Sequence, residues 1–245
     1  MFKEEYVDEG GRMNKKESKL LSMILLGLLV LSMLCVGQQA VVRVMSGSVE
    51  QAQKCVVIDA GHGGEDPGKI GINNALEKDI NLEIAYLVKN YLEQNDVRVV
   101  MTRETEDGLN DADASNKKVQ DMKRRLAIIE EASPAVTVSI HQNSYPEEYV
   151  HGAQVFYYEN SVEGQKLADY IQKQFVKKVD AENKRQIKAN DSYYLLKKTA
   201  TPIVIVECGF LSNYAEAEKL CAPDYQEKVA WAIHLGILQY LNAAK

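Results

Sequence analysis

Val56-Val57-Ile58-Asp59-Ala60-Gly61-His62-Gly63-Gly64 opens as an apolar run and ends in a histidine enclosed by glycines. Valine and isoleucine favour a pleated, half-buried backbone, so Lys54 to Asp59 reads as a strand. Glycine accepts positive φ and lets other groups approach the backbone closely. A strand that stops in such a turn leaves His62 at the carboxyl edge of a sheet, which is where open α/β sheets bind ligands. Alone, His62 reads more readily as a histidine in a tight turn. The rest of the chain decides between the two.

Working outward, strands alternate with helices. Helices are expected at Glu77–Gln94, Asn116–Ala132, Val162–Val179, Tyr214–Cys221 and Asp224–Ala243. Strands are expected at Val97–Thr102, Ala135–His141, Gly152–Tyr158 and Pro202–Cys208. Ala181–Lys198 shows no regular period. The alternation predicts an α/β fold: a single domain with a twisted, mostly parallel sheet and helices on both faces.

The polar residues can be placed on that frame. Leu76, Ile80, Ile84, Leu87, Val88 and Tyr91 form the apolar stripe of the first helix. At about 100° per residue, Glu77 falls roughly 20° from Ile84 and points toward the sheet, whereas Asp79 and Glu83 lie off the stripe. Carboxylates almost never bury without a partner. A charge favoured at a helix N-terminus is the plainer account of Glu77; a metal explains its inward direction better. His141 ends the apolar strand Ala135–Ile140, as His62 ends the first. Glu207 ends Ile203-Val204-Ile205-Val206 in the same way. In a parallel sheet these ends share one edge. Two histidines and a carboxylate are a familiar ligand set for catalytic zinc, with one position left for water. A further carboxylate could act as general base.

The sequence resembles the zinc-dependent N-acetylmuramoyl-L-alanine amidases of bacterial cell walls. The matching pieces are Asp59-Ala60-Gly61-His62-Gly63-Gly64 with Asp66-Pro67-Gly68, then Glu77-Lys78-Asp79-Ile80-Asn81-Leu82, then Thr102-Arg103. Ser139-Ile140-His141-Gln142-Asn143, Gly152-Ala153-Gln154-Val155-Phe156-Tyr157-Tyr158 and Glu207-Cys208-Gly209-Phe210-Leu211-Ser212-Asn213 follow in order. The resemblance runs from Lys54 to the C-terminus. It implies one zinc held by His62, Glu77 and His141, with Glu207 as the catalytic carboxylate and peptidoglycan as substrate. The Glu-Cys-Gly-Phe-Leu-Ser-Asn string and the single N-terminal apolar segment are most similar to small sporulation-type members acting on spore cortex. Gln142 departs from the small residue that many relatives carry beside the second histidine, and could alter substrate fit. Some members plug the cleft with an inserted helix after that histidine. Here only Gln142 to His151 separates His141 from the next strand, too short a stretch for such a helix, and it contains Pro146. Control would then rest on expression, location, metal supply or an activating protein partner.

Two rival functions remain. His62-Gly63-Gly64-Glu65 spells the H-x-x-E metal pair of a zinc carboxypeptidase. A membrane-anchored, non-catalytic wall-binding domain is the other, although it has no need of Glu207.

The N-terminus is different in kind. Residues 1–19 are charged and polar. Leu20 to Val42 carries no charge, and about 20 apolar residues suffice to cross a bilayer core. Arg12, Lys15, Lys16 and Lys19 precede it, which puts the tail in the cytoplasm and the domain at 54–245 outside the membrane, after a linker at 43–53. The competing reading is a cleaved signal peptide, which would release a secreted domain. The net charge of −6 and the lack of a basic stripe argue against nucleic acid. Of the four cysteines, Cys55 and Cys208 lie on expected core strands, and no C-x-x-C pair occurs.

Overall fold

A computed structural model describes residues 19–20, 23–33 and 53–243. The chain divides into two units, residues 1–52 and 53–245, each taken by itself. In the first, residues 23–33 are helical and exposed. Among the described residues no helix is long and apolar enough to cross a membrane. The remainder of the expected segment Leu20–Val42, and most of the linker, lies outside the described residues.

The second unit carries β1 (Cys55–Ala60), α1 (Glu77–Glu93), β2 (Arg98–Met101), α2 (Lys117–Ala132), β3 (Val136–Asn143) and β4 (Gln154–Tyr158). It continues with α3 (Val162–Lys178), β5 (Lys188–Asn190), α4 (Tyr194–Lys198), β6 (Ile203–Phe210), α5 (Tyr214–Leu220) and α6 (Pro223–Ala243). The strands form one six-stranded sheet in the order β2-β1-β3-β6-β4-β5. From β2 to β6 all neighbours are parallel. β4 runs antiparallel to β6, and β5 follows β4 in parallel. The sheet is mostly parallel, as expected, and mixed through the antiparallel pair β4–β6. The reason lies in the connection from β3 to β4. It is short and contains no helix, whereas a parallel return needs a crossover of about a dozen residues or more.

Alternation along the strands sends their side chains to two different layers. Val56, Ile58, Val138, Ile140, Val204 and Val206 pack against α1, α3 and α6. Val57, Ile203 and Ile205 pack against Ile129 of α2 and Leu195 and Leu196 of α4. Both faces are thus covered, as expected. Asp59, Ser139 and Glu207, buried polar residues of β1, β3 and β6, share the second face. Register brings them together: Asp59 pairs with Ser139, Ser139 with Ile205, and His141 with Glu207.

Candidate metal and catalytic site

The turn after β1 is built for close contacts. Gly61 lies beside the His141 ring: a Cβ there would stand 2.3 Å from Cε1 and Nε2. His62 itself adopts φ 62°, a left-handed backbone that costs a non-glycine residue about 1 kcal/mol or more. Gly68, at φ +68°, closes the loop against the site, where a Cβ would lie 2.6 Å from Glu77 Oε2 and 2.7 Å from His62 Cδ2.

These approaches gather His62, Glu77 and His141, whose ligand atoms all lie within 4.8 Å of one another. Glu77 Oε1 is 2.9 Å from His141 Nδ1 and 3.3 Å from His62 Nε2. The two imidazole rings meet edge to face, 4.9 Å between centroids. His62 Nδ1 bonds Asp66 Oδ2 at 2.9 Å, which leaves Nε2 aimed inward, the arrangement of a histidine oriented by an outer carboxylate. Burial works to raise the Glu77 pKa, but the hydrogen bonds and charges of His141 and His62 overcome it and hold the carboxyl far below its ordinary range. Backbone N–H groups of Lys69, at 2.7 Å, and Gln142, at 3.0 Å, donate to the same carboxylate. Two imidazole nitrogens and a carboxylate oxygen converging on one point fit a zinc-type divalent ion.

Glu207 stands beside His141 on the adjacent strand and is 7 % exposed. Its Oε2 is buried with no hydrogen-bond partner. Burial pushes its pKa up; His141 opposes and Glu77 reinforces the rise, to about 7. A carboxyl poised near neutrality and left unpaired is suited to carry a proton. Across the cleft, Tyr193 packs edge-on against Phe156. Burial, then the charges of Glu207 and Glu77, raise its phenol to about 12, so it stays protonated.

Sequence reasoning missed the support beneath the His62 loop. Arg125 of α2 is 1 % exposed. It donates to Asp59 Oδ1 at 2.6 Å, Ala60 O at 2.8 Å, His62 O at 2.5 Å and Asp121 Oδ2 at 2.7 Å. Asp59 also accepts from Thr102 Oγ1 at 2.7 Å and Ser139 Oγ at 2.5 Å. Burial would raise the Asp59 pKa, but the Arg125 charge and these hydroxyls lower it to about 2. Arg103 holds the other side of the loop, donating to Ala60 O at 2.9 Å and Gly61 O at 3.1 Å. The signal for Arg103 was its place after Thr102 at a strand end. Arg125 had none, being one cation among many on α2.

The structure separates the other expectations. Glu65 does not join the cluster: its side chain is 78 % exposed and pairs with Lys117 at 2.7 Å, so the H-x-x-E pair is not formed. Asp79 and Glu83 lie outside the cluster as well. Gln142 points away from the cleft, because strand alternation turns it to the α1 face, where its Nε2 donates to Asn81 Oδ1 at 3.1 Å. Cys208 is fully buried and its thiol pKa is pushed far up, chiefly by burial, which makes it inert. His62, His141 and Glu207 line one cleft of about 420 Å³. Residues 144–153 form no helix.

The family profile described as N-acetylmuramoyl-L-alanine amidase matches residues 56–239. The germination-specific N-acetylmuramoyl-L-alanine amidase of Bacillus subtilis (strain 168) is 37 % identical over 198 residues, spanning 80 % of this chain and 83 % of that protein. Among solved structures, the CwlD amidase of Clostridioides difficile, determined in complex with the GerS lipoprotein, superposes with a TM-score of 0.76 at 38 % identity, covering 78 % of this chain and 100 % of that one. The catalytic domain of CwlV, an N-acetylmuramoyl-L-alanine amidase from Bacillus (Paenibacillus) polymyxa var. colistinus, gives 0.69 at 32 % identity over 78 % of this chain and 99 % of that one. With its fold, its motif order and nearly the whole second unit matched, the chain belongs to the N-acetylmuramoyl-L-alanine amidase family.

Proposed function

We propose that this chain is a zinc amidase that hydrolyses the amide between the lactyl group of N-acetylmuramic acid and L-alanine in peptidoglycan. His62, Glu77 and His141 would hold the metal, and Glu207 would be the catalytic carboxylate. The observation that carries this is the convergence of those three ligands beside an unpartnered Glu207 oxygen. When bound, zinc supplies Lewis acidity to the scissile carbonyl and lowers the pKa of water. Glu207 takes a proton from the attacking water as its oxygen bonds the carbonyl carbon. It then returns that proton to the nitrogen as the C–N bond breaks. The products are a lactyl carboxylate and a free amine on the peptide. Asp66 keeps the His62 ring oriented, and Arg125 and Arg103 keep its loop in place.

The similarity to a germination-specific amidase and to CwlD supports spore cortex as the wall acted upon. A complex of that relative with a lipoprotein supports a protein partner for this chain as well. We infer further that residues 20–42 anchor the domain at 54–245 outside the cytoplasmic membrane. The exposed Leu25, Leu26, Leu28 and Leu29 of the helical stretch support this. Cleavage of that segment would instead give a secreted domain.

The test uses the purified full chain. Bound metal is measured, and peptidoglycan is digested and its products identified. Newly exposed N-terminal L-alanine is expected; release of single terminal amino acids would instead support a carboxypeptidase. Glu77→Gln should lose the metal and Glu65→Gln should keep it. The reverse pattern would overturn the ligand assignment.

A further inference from the structure

The scissile amide joins two chemically different limbs, so a site that cuts it needs two seats. One is a peptide with ionised groups. The other is a saccharide strand of hydroxyls, acetamido groups and apolar ring faces. The cleft over Glu207 has the charges of Glu65, Asp66 and Lys117 among its walls, together with apolar Met122, Leu195 and Ile205. A second groove, of about 440 Å³, has fewer charges. Lys69 is its single charge; Ile70, Ile72, Tyr145 and the hydroxyls of Ser144 and Ser212 supply most of the rest.

The groove is fixed to the metal cluster. The Lys69 amide donates to Glu77 Oε2 at 2.7 Å. Ser144 and Tyr145 directly follow the strand that carries His141. Ile72 N donates to Leu211 O at 2.9 Å, Leu211 N to Asn143 O at 2.9 Å, and Tyr145 N to Ser212 Oγ at 2.9 Å. On this tied-down backbone, Ile70, Ile72 and Tyr145 are 52 %, 47 % and 51 % exposed. Three large apolar side chains left in water beside a catalytic centre mark a ligand surface. An aromatic face with a phenol at its rim suits an apolar pyranose face edged by hydroxyls. The serine hydroxyls can both donate and accept, and the Lys69 ammonium donates.

From this contrast of charge, and its continuity with Glu77, we propose that the Lys69–Ile72 and Ser144–Tyr145 groove seats the glycan strand of the substrate, leaving the charged cleft to the peptide. The inference rests on the amidase reading above. A protein partner is the competing occupant.

The experiment uses the zinc-loaded full chain and its Tyr145→Ala and Ile70→Ser variants, with two readouts. The first is binding of peptide-free glycan chains of several disaccharides. The second is hydrolysis of a long glycan carrying stem peptides, compared with a single N-acetylmuramoyl-peptide. Each variant should weaken glycan binding about tenfold, and should raise KM on the long chain about tenfold more than on the single unit, with kcat kept. Glycan binding that depends on Tyr145, in a protein that cleaves neither substrate, would uphold the groove and overturn the amidase reading. Absent glycan binding, or variants whose KM rises equally on both substrates, would overturn the groove. So would variants that cleave the long chain as the parent does, which would leave a protein partner as its occupant.

Discussion

Arg125→Met removes a guanidinium and keeps much of the side-chain volume. Asp59, fully buried, then faces an uncharged thioether instead of a cation. Breaking a buried ion pair from one side costs about 3–5 kcal/mol. A second route gives a similar figure: Asp59 can escape by binding a proton, and holding an aspartic acid neutral at pH 7 costs about 4 kcal/mol against its ordinary pKa of about 3.9. We expect a loss of about 4 kcal/mol in urea unfolding of the metal-free full chain. The backbone effect is separate. Ala60 O keeps its bond from Arg103, whereas His62 O accepts from Arg125. With that residue's left-handed backbone less constrained, zinc affinity by chelator competition should fall about 10- to 100-fold, the range seen for outer-shell supports. The double variant Asp59→Asn/Arg125→Met separates the two effects. It should regain most of the stability, since the buried carboxylate is gone along with its cation, but not the zinc affinity. A stability loss under about 1 kcal/mol for Arg125→Met, or a double variant that regains both properties, would refute the reasoning.

Glu207→Gln should fold and load zinc normally, yet lose about 10²–10⁴-fold in turnover; near-normal activity of the loaded variant would remove Glu207 from the mechanism. In the metal-free protein, burial pulls the His62 pKa down but Glu77 and Asp66 outweigh it and hold it at about 9. That raised value stabilises the metal-free fold below about pH 6.5 and is lost as pH climbs through about 9. Zinc must displace the proton, so its affinity should rise up to about tenfold per pH unit across that window; a flat profile would contradict the pairing. Gly68→Ala meets Glu77 and His62 in a left-handed backbone, and should cost about 1 kcal/mol or more in unfolding and strip the metal. Retention of full zinc occupancy would show that the loop yields more than its contacts imply.

Much of this was legible in the sequence because β1, β3 and β6 are apolar runs ended by a polar residue. That pattern identified His62, His141 and Glu207 before any fold was known, and helical spacing turned Glu77 toward them. β5 was not legible: Lys188-Ala189-Asn190 is a short, mainly exposed edge strand without apolar alternation. The five-residue α4 was missed for a related reason, since one turn carries no period. The direction of β4 was legible in principle, because its connection from β3 is too short for a parallel return, but strand composition carries no direction. Asp59 looked like the end of a strand and the start of a motif rather than a buried ion. Its partner Arg125 lies on a helix dense in charge, where no local pattern distinguishes the one cation that turns inward.

The reversal of β4 has a further consequence for how this fold can change. β3 and β4 flank β6, and the end of β3 and the start of β4 lie at the same edge of the sheet. The chain between them must therefore pass over the carboxyl end of β6, next to the catalytic edge. Both anchorages belong to rigid strands, so residues can be added between them without disturbing either one. Growth there would begin beside the groove lined by Ser144, Tyr145 and Pro146. The bridge at 144–153 is thus the place where the chain can lengthen at the catalytic edge without interrupting a strand that carries His62, His141 or Glu207.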